Sequence, residues 1–160
     1  MKGKPEKTNA MRTLDRLKVS YRAHSYGGEE ALSGVEVARV LGQDERRVFK
    51  TLVTEGKRGH YAFMIPAAEE LDLKKAAQSV GEKALSMLKS KELLPLTGYV
   101  HGGCSPIGMK KPLPTVAHET AADFEAILFS AGRIGWQIEA GFDDLRKAVP
   151  VALADVIVDR

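Results

Sequence analysis

A chain of 160 residues with 44% hydrophobic and 28% charged residues has the composition of one globular domain, long enough to bury a core without disulfides or a structural metal. Its single cysteine excludes a disulfide framework and fits a reducing, cytoplasmic setting, and a net charge of +3 is too small to establish binding to a polyanion. No apolar run is long enough to span a bilayer, and Met1 to Lys7 lacks the apolar segment of a signal peptide, so residues 1–8 are expected to form a flexible tail before a domain over 9–160.

Met11, Leu14 and Leu17 recur at spacing three and predict an amphipathic helix from Asn9 to Leu17. Tyr21 to Tyr26 reads as a short strand. Ser33 with Glu36 three residues on is a capping box, and the helix it opens should stop at Gly42. Val48 to Thr54 and His60 to Pro66 are β-rich runs joined by a Gly-containing hairpin. Strand alternation puts Lys50 on the same face as Val48 and Leu52, with Phe49 and Thr51 opposite. A lysine in that phase either extends to the rim or occupies a pocket.

Asp72 should cap a helix through Val80 that Gly81 ends, and Ser90 should start a shorter one finishing before Pro95. Pro114 to His118, Ala126 to Ser130 and Ile134 to Ala140 read as strands. Phe142 to Val149 reads as a helix with Asp143 and Asp144 at its positive end, and Val151 to Val158 as a closing strand. Strands and helices mix without regular βαβ alternation. The expected class is α+β, a single domain with a mixed, curved, barrel-like sheet flanked by helices.

The densest chemistry lies in Thr97 to Gly108, twelve residues that hold four glycines, Pro106 and Cys104. A Gly-Gly pair such as Gly102-Gly103 lets the backbone turn through positive φ and bring N–H groups close to a ligand, though it also serves a plain tight turn. Gly103 to Lys110 misses a phosphate-binding loop, since it has no Ser or Thr after the lysine and Lys-Pro-Leu-Pro cannot open a helix. His24, His60, His101, His118 and Cys104 show no paired spacing of the kind that holds metal, so neither metal nor cofactor is expected. Basic pairs at Lys74-Lys75 and Lys110-Lys111 are either solvated faces or contacts to phosphate.

Three motifs in order, Val48-Phe49-Lys50-Thr51-Leu52, Gly102-Gly103-x-Ser105-Pro106-x-Gly108-x-Lys110-Lys111-x-Leu113-Pro114 and the Ser130-x-Gly132 strand, resemble the YbaK family of trans-editing aminoacyl-tRNA deacylases from about Asn9 to Asp159. The glycine-loop motif is similar to the branch that deacylates Cys-tRNA(Pro). The resemblance implies that Lys50, Gly102 and Gly103 form the reactive centre, with Tyr26, Tyr99 and Ser130 lining the substrate pocket. It also implies a mechanism in which the thiol of the substrate cysteine attacks the ester. Partners would then be tRNA(Pro) and prolyl-tRNA synthetase, with neither membrane nor DNA.

The chain departs from that pattern at Cys104, where an aliphatic residue usually stands, and at Ala131, Ile134 and Trp136. Cys104 with His101 could be a nucleophile and base, although a cysteine in an aliphatic position usually packs as a small hydrophobe. Three functions remain open from sequence: a deacylase of Cys-tRNA(Pro), a deacylase with different amino-acid specificity, and a protein of the same fold that binds aminoacyl-tRNA or a nucleotide without turnover.

Overall fold

A computed structural model describes residues 7–27 and 32–160. Most of the tail expected over residues 1–8 lies outside that range. Thr8 already belongs to the fold, since its hydroxyl accepts the Met11 N–H and caps α1 (Asn9–Arg16), whose Ala10, Met11 and Leu14 are buried. Next come β1 (Arg22–Ser25) and α2 (Gly34–Leu41). The capping box is present, with the Ser33 hydroxyl accepting from Glu36 N–H and the Glu36 carboxylate from Ser33 N–H, and Gly42 ends the helix at φ 66°.

After a 3-10 turn at Glu45–Arg47 the hairpin β2 (Phe49–Gly56) and β3 (His60–Pro66) follows, paired from Phe49 with Pro66 to Glu55 with His60. Then come α3 (Leu73–Val80), β4 (Leu85–Met87), α4 (Ser90–Thr97), β5 (Thr115–His118), a 3-10 turn over Glu119–Asp123, β6 (Ile127–Ser130), β7 (Trp136–Ala140), α5 (Phe142–Ala148) and β8 (Val151–Ala154). Asp72 caps α3 by accepting the N–H groups of Lys74 and Lys75, and Gly81 ends it.

Three elements differ most from expectation. Helix α4 runs through Pro95, because proline removes only one hydrogen bond there. The Leu93 carbonyl accepts the Thr97 hydroxyl, and the Leu94 carbonyl accepts the N–H of Gly98, so the last turn closes. The closing strand ends at Ala154 because its parallel partner β5 offers four residues, ending where His118 leads into a turn. Strand β4 is three residues long, too short for periodicity to reveal.

Two sheets result. One is mixed, in the order β4-β2-β3-β5-β8, with β3–β5 and β5–β8 parallel; the other is antiparallel, in the order β1-β7-β6. A parallel bridge from Val48 to Leu128 ties the start of β2 to β6, and the sheets do not close into a barrel. The larger core fills the space beneath α1 and α5 with Leu14, Phe49, Met64, Phe129, Ile138 and Leu145. Strand β3 is buried from Ala62 to Pro66, the near-continuous apolar run expected of a central strand.

Candidate active site

Beyond the Val48–Leu128 bridge no further pairing joins β2 to β6 among the described residues. Two residues on from that bridge stand Lys50 in one strand and Ser130 in the other. A cavity of about 190 Å³ opens there, bordered by Tyr26, by Val48 to Leu52, by His101, Gly102 and Cys104 of the glycine loop, and by Ser130 and Gln137. Strand alternation survives at its edge: Val48 packs with Ala38, Ala67 and Leu128, and Phe49 packs into the larger core.

Lys50 is half-buried, opposite Ile65 in the β2–β3 register. Burial draws its ammonium pKa below the ordinary lysine value, and the Glu70 and Glu69 carboxylates pull it part of the way back. Among the described residues no carboxylate comes within ion-pair distance of its Nζ. Among the described residues, the cavity therefore holds a cation whose charge no direct partner quenches.

Gly102 sits at φ 85°, in the region that favours glycine, and its N–H donates to no acceptor among the described residues. Gly103, expected beside it in the reactive centre, is placed differently. Its N–H donates to the Val100 carbonyl at 3.0 Å, and it does not border the cavity. A Cβ there would stand 3.2 Å from the Ile134 nitrogen, so Gly103 lets the glycine loop approach the β6–β7 turn.

Tyr99, expected in the pocket lining, is also absent from the cavity wall. Its hydroxyl donates to the Ile107 carbonyl at 2.6 Å, and burial raises its pKa. The ring lies against Gly132, where an added Cβ would come within 2.7 Å of Cε1. Tyr99 thus braces the loop against the β6–β7 turn. Ser130 does reach the cavity, with its Oγ accepting the Gly132 N–H at 3.1 Å and its own hydrogen free to donate. Tyr26 also lines the wall, anchored by its N–H to the Gly135 carbonyl.

Cys104 is buried among Val53, Ala62, Tyr99 and Met109, and that burial pushes its thiol pKa up to about 12. Among the described residues no hydrogen bond joins it to His101. A thiol in that state is a wall, not a thiolate.

Two further residues in the lining are not ones that the sequence singles out as site residues. Thr51 Oγ1 and Gln137 Oε1 are buried without a hydrogen-bond partner among the described residues, and both border the cavity. Buried polar atoms are nearly always satisfied, so the unpaired Gln137 Oε1 is a candidate to meet a ligand, whereas Thr51 lies on the β2 face opposite Lys50. Gln137 faces the same side as Ser130, its partner in the β6–β7 register. Only the pairing could have revealed this.

Several other polar groups are tied elsewhere. Glu139 accepts from His24 and from Arg47, each at 2.7 Å. Burial pulls its carboxyl pKa up, and the two hydrogen bonds outweigh that and leave it lowered. His118 is buried and accepts the Val156 N–H. Lys75 donates to Asp155, to Asp159 and to the Ile157 carbonyl, so of the two lysines in its basic pair it is already engaged. No helix among the described residues is long and apolar enough to cross a membrane.

Comparison with known proteins agrees with this geometry. The model of the aminoacyl-tRNA editing domain matches residues 29–148. A protein of Enterococcus faecalis named as a Cys-tRNA(Pro)/Cys-tRNA(Cys) deacylase, EbsC, is 49% identical over 136 residues, which cover 84% of this chain and 83% of that one. The proline–tRNA ligase of Thermosipho melanesiensis is 30% identical over 74 residues, 46% of this chain and 13% of the ligase. Among solved structures, one described as a trans-editing enzyme for prolyl tRNA synthetase superposes with a TM-score of 0.82 at 25% identity, covering 94% of this chain and 93% of that one. The hypothetical protein APE2540, at 22% identity and a TM-score of 0.86 over 94% of this chain and 100% of that one, shares the fold. The chain belongs to the aminoacyl-tRNA editing domain family.

Proposed function

We propose that this protein is a trans-editing hydrolase that deacylates cysteine mischarged onto tRNA(Pro). The observation that carries the reading is Lys50, a half-buried ammonium facing a small cavity with no carboxylate in contact among the described residues. Ester cleavage develops negative charge on the carbonyl oxygen, and a cation with N–H donors in a water-poor site stabilises that charge most in the transition state. Lys50 and the Gly102 N–H supply those donors. Ser130, Tyr26 and Gln137 orient the aminoacyl group and the terminal ribose.

The nucleophile belongs to the substrate. Its thiol sulfur attacks the ester carbonyl, and an S–C bond forms. The intermediate collapses as the C–O bond to the ribose breaks, and the thiol proton ends on the ribose oxygen. Water then opens the four-membered thiolactone to free cysteine. Cys104 supports this division of labour, since a thiol held protonated by burial contributes no thiolate of its own.

Prolyl-tRNA synthetase is part of the proposal as the partner that delivers tRNA(Pro) in the cytoplasm, supported by the likeness to a short stretch of proline–tRNA ligases. The test is deacylation of tRNA(Pro) charged in turn with cysteine, alanine and serine. Rapid clearance of the cysteinyl ester alone is expected. Equal clearance of all three would overturn the substrate-thiol mechanism, and clearance of none would leave the binding protein without turnover.

A further inference from the structure

We propose that an open groove beside the Lys50 cavity seats the single-stranded end of the RNA, with Trp136 as a stacking platform and Arg133 and Lys110 as phosphate contacts. The inference rests on the deacylase reading above and extends it to how the substrate is held. The cavity, at about 190 Å³, is below the roughly 300 Å³ at which small-molecule pockets begin, so it has room for the esterified end but not for the nucleotides before it. An adjoining groove of about 560 Å³ does have that room.

Three chain segments pass directly from one lining to the other. Ser25 and Gly27 of the groove flank Tyr26 of the cavity, Gly98 to Val100 lead into His101 and Gly102, and Gly132 to Trp136 lie between Ser130 and Gln137. A strand whose last ester enters the cavity therefore leaves along the groove.

The chemistry of the groove matches unstacked bases and phosphates. Trp136 is half-buried, packing against the larger core while it lines the groove, and Val100 on the rim is 46% exposed. Among the described residues, Arg133 is the one charged side chain in the lining, and no carboxylate joins it. Lys110 is exposed and borders the same rim, since a Cβ at Gly98 would lie 3.6 Å from the Lys110 Cβ. Single-stranded RNA is typically held by aromatic stacking and cations along the backbone, and both are present.

The platform is also pre-formed. The Trp136 N–H donates to the Arg133 carbonyl at 3.2 Å, the Ala131 N–H to the Trp136 carbonyl at 3.1 Å, and the Tyr26 N–H to the Gly135 carbonyl at 2.9 Å. Gly132 and Gly135, at φ 91° and 101°, make the turn that these bonds close.

Trp136 is the only tryptophan in the chain, so its emission reports on this groove without a label. The test titrates the intact protein with an uncharged single-stranded RNA ending in CCA, following Trp136 emission and, in parallel, the anisotropy of an end-labelled copy. We expect quenching that saturates with the anisotropy change. Arg133→Ala should weaken binding about tenfold and flatten the slope of log affinity against log salt by about 0.7, the value for one lost contact to a single strand. Trp136→Phe, which keeps a ring against the core, should weaken binding severalfold, and Trp136→Ala about tenfold. Unchanged emission at saturating RNA, absence of binding, or equal quenching by a blunt duplex would each overturn the proposal. Quenching without deacylation of Cys-tRNA would instead remove the deacylase reading and leave the groove as an RNA site.

Discussion

Lys50 and Lys75 are both partly buried lysines placed by regular secondary structure, yet their surroundings are opposite. Lys75 projects from α3 into a clasp formed by the C-terminal segment, where two carboxylates and a carbonyl accept its three protons and raise its pKa. Lys50 projects from β2 into a cavity where burial lowers its pKa and, among the described residues, no acceptor touches it. Sequence marks Lys50 by its strand phase and Lys75 only as half of a basic pair, and neither mark shows what each ammonium meets. The packing makes one a fastening and the other a charge held ready for a ligand.

The largest effect that could break this contrast is the loss of Lys50. Lys50→Ala should lower kcat/KM on Cys-tRNA about a hundredfold, on the order of 3 kcal/mol of transition-state stabilisation, with a melting curve no worse than that of the parent. Lys75→Met should do the reverse, lowering the melting temperature by a few degrees and leaving deacylation intact. Near-normal turnover by a folded Lys50→Ala protein would mean that the two lysines do not differ as argued.

Next in size are the contacts that fix the walls. Gly132→Ala should cost about 2 kcal/mol in denaturant unfolding, because it forces a Cβ to within 2.7 Å of Tyr99 at a φ of 91°. Tyr99→Phe should cost about 1 kcal/mol for the hydrogen bond to Ile107. If neither substitution moves stability, the bracing of the glycine loop against the β6–β7 turn is not what holds the cavity open.

The contrast also predicts two pH windows. Lys50 has a folded pKa below 10.5, so the ammonium needed for turnover is lost as pH rises through a value under 10.5. Lys75 has a folded pKa above 10.5, so its stabilisation is fully present below 10.5 and disappears only as pH rises through that higher value. Deacylation, corrected for spontaneous ester hydrolysis, should therefore fall before the melting temperature reflects loss of the clasp. Simultaneous loss of both would erase the distinction.

Much of this was legible before any coordinates because the signals were local. Ser33, Glu36 and Gly42 bracket α2, and Asp72 and Gly81 bracket α3, each within a few residues of chain. The motifs around Lys50, Gly102 and Ser130 single out three residues that the fold brings to one cavity. What escaped depends on contacts across the chain. Whether the N–H of Gly103 is free depends on Val100, and whether Tyr99 faces a ligand or a loop depends on Ile107 and Gly132. Gln137 lies outside the motifs. It is a candidate only because pairing with Ser130 fixes its facing and leaves Oε1 without a donor among the described residues. In the same way, β8 stops where β5 stops, a limit set by a partner more than thirty residues upstream.

The most direct test of the central claim, a lysine-centred cavity that lends charge to a nucleophile carried by the substrate, is deacylation of Cys-tRNA(Pro) and Ala-tRNA(Pro) by the parent and by Cys104→Ala. The account predicts that Cys104→Ala stays active on the cysteinyl ester and that both proteins act poorly on the alanyl ester, which has no thiol. A folded but inactive Cys104→Ala, together with an acyl group trapped on Cys104 of the parent in mass spectrometry, would contradict it.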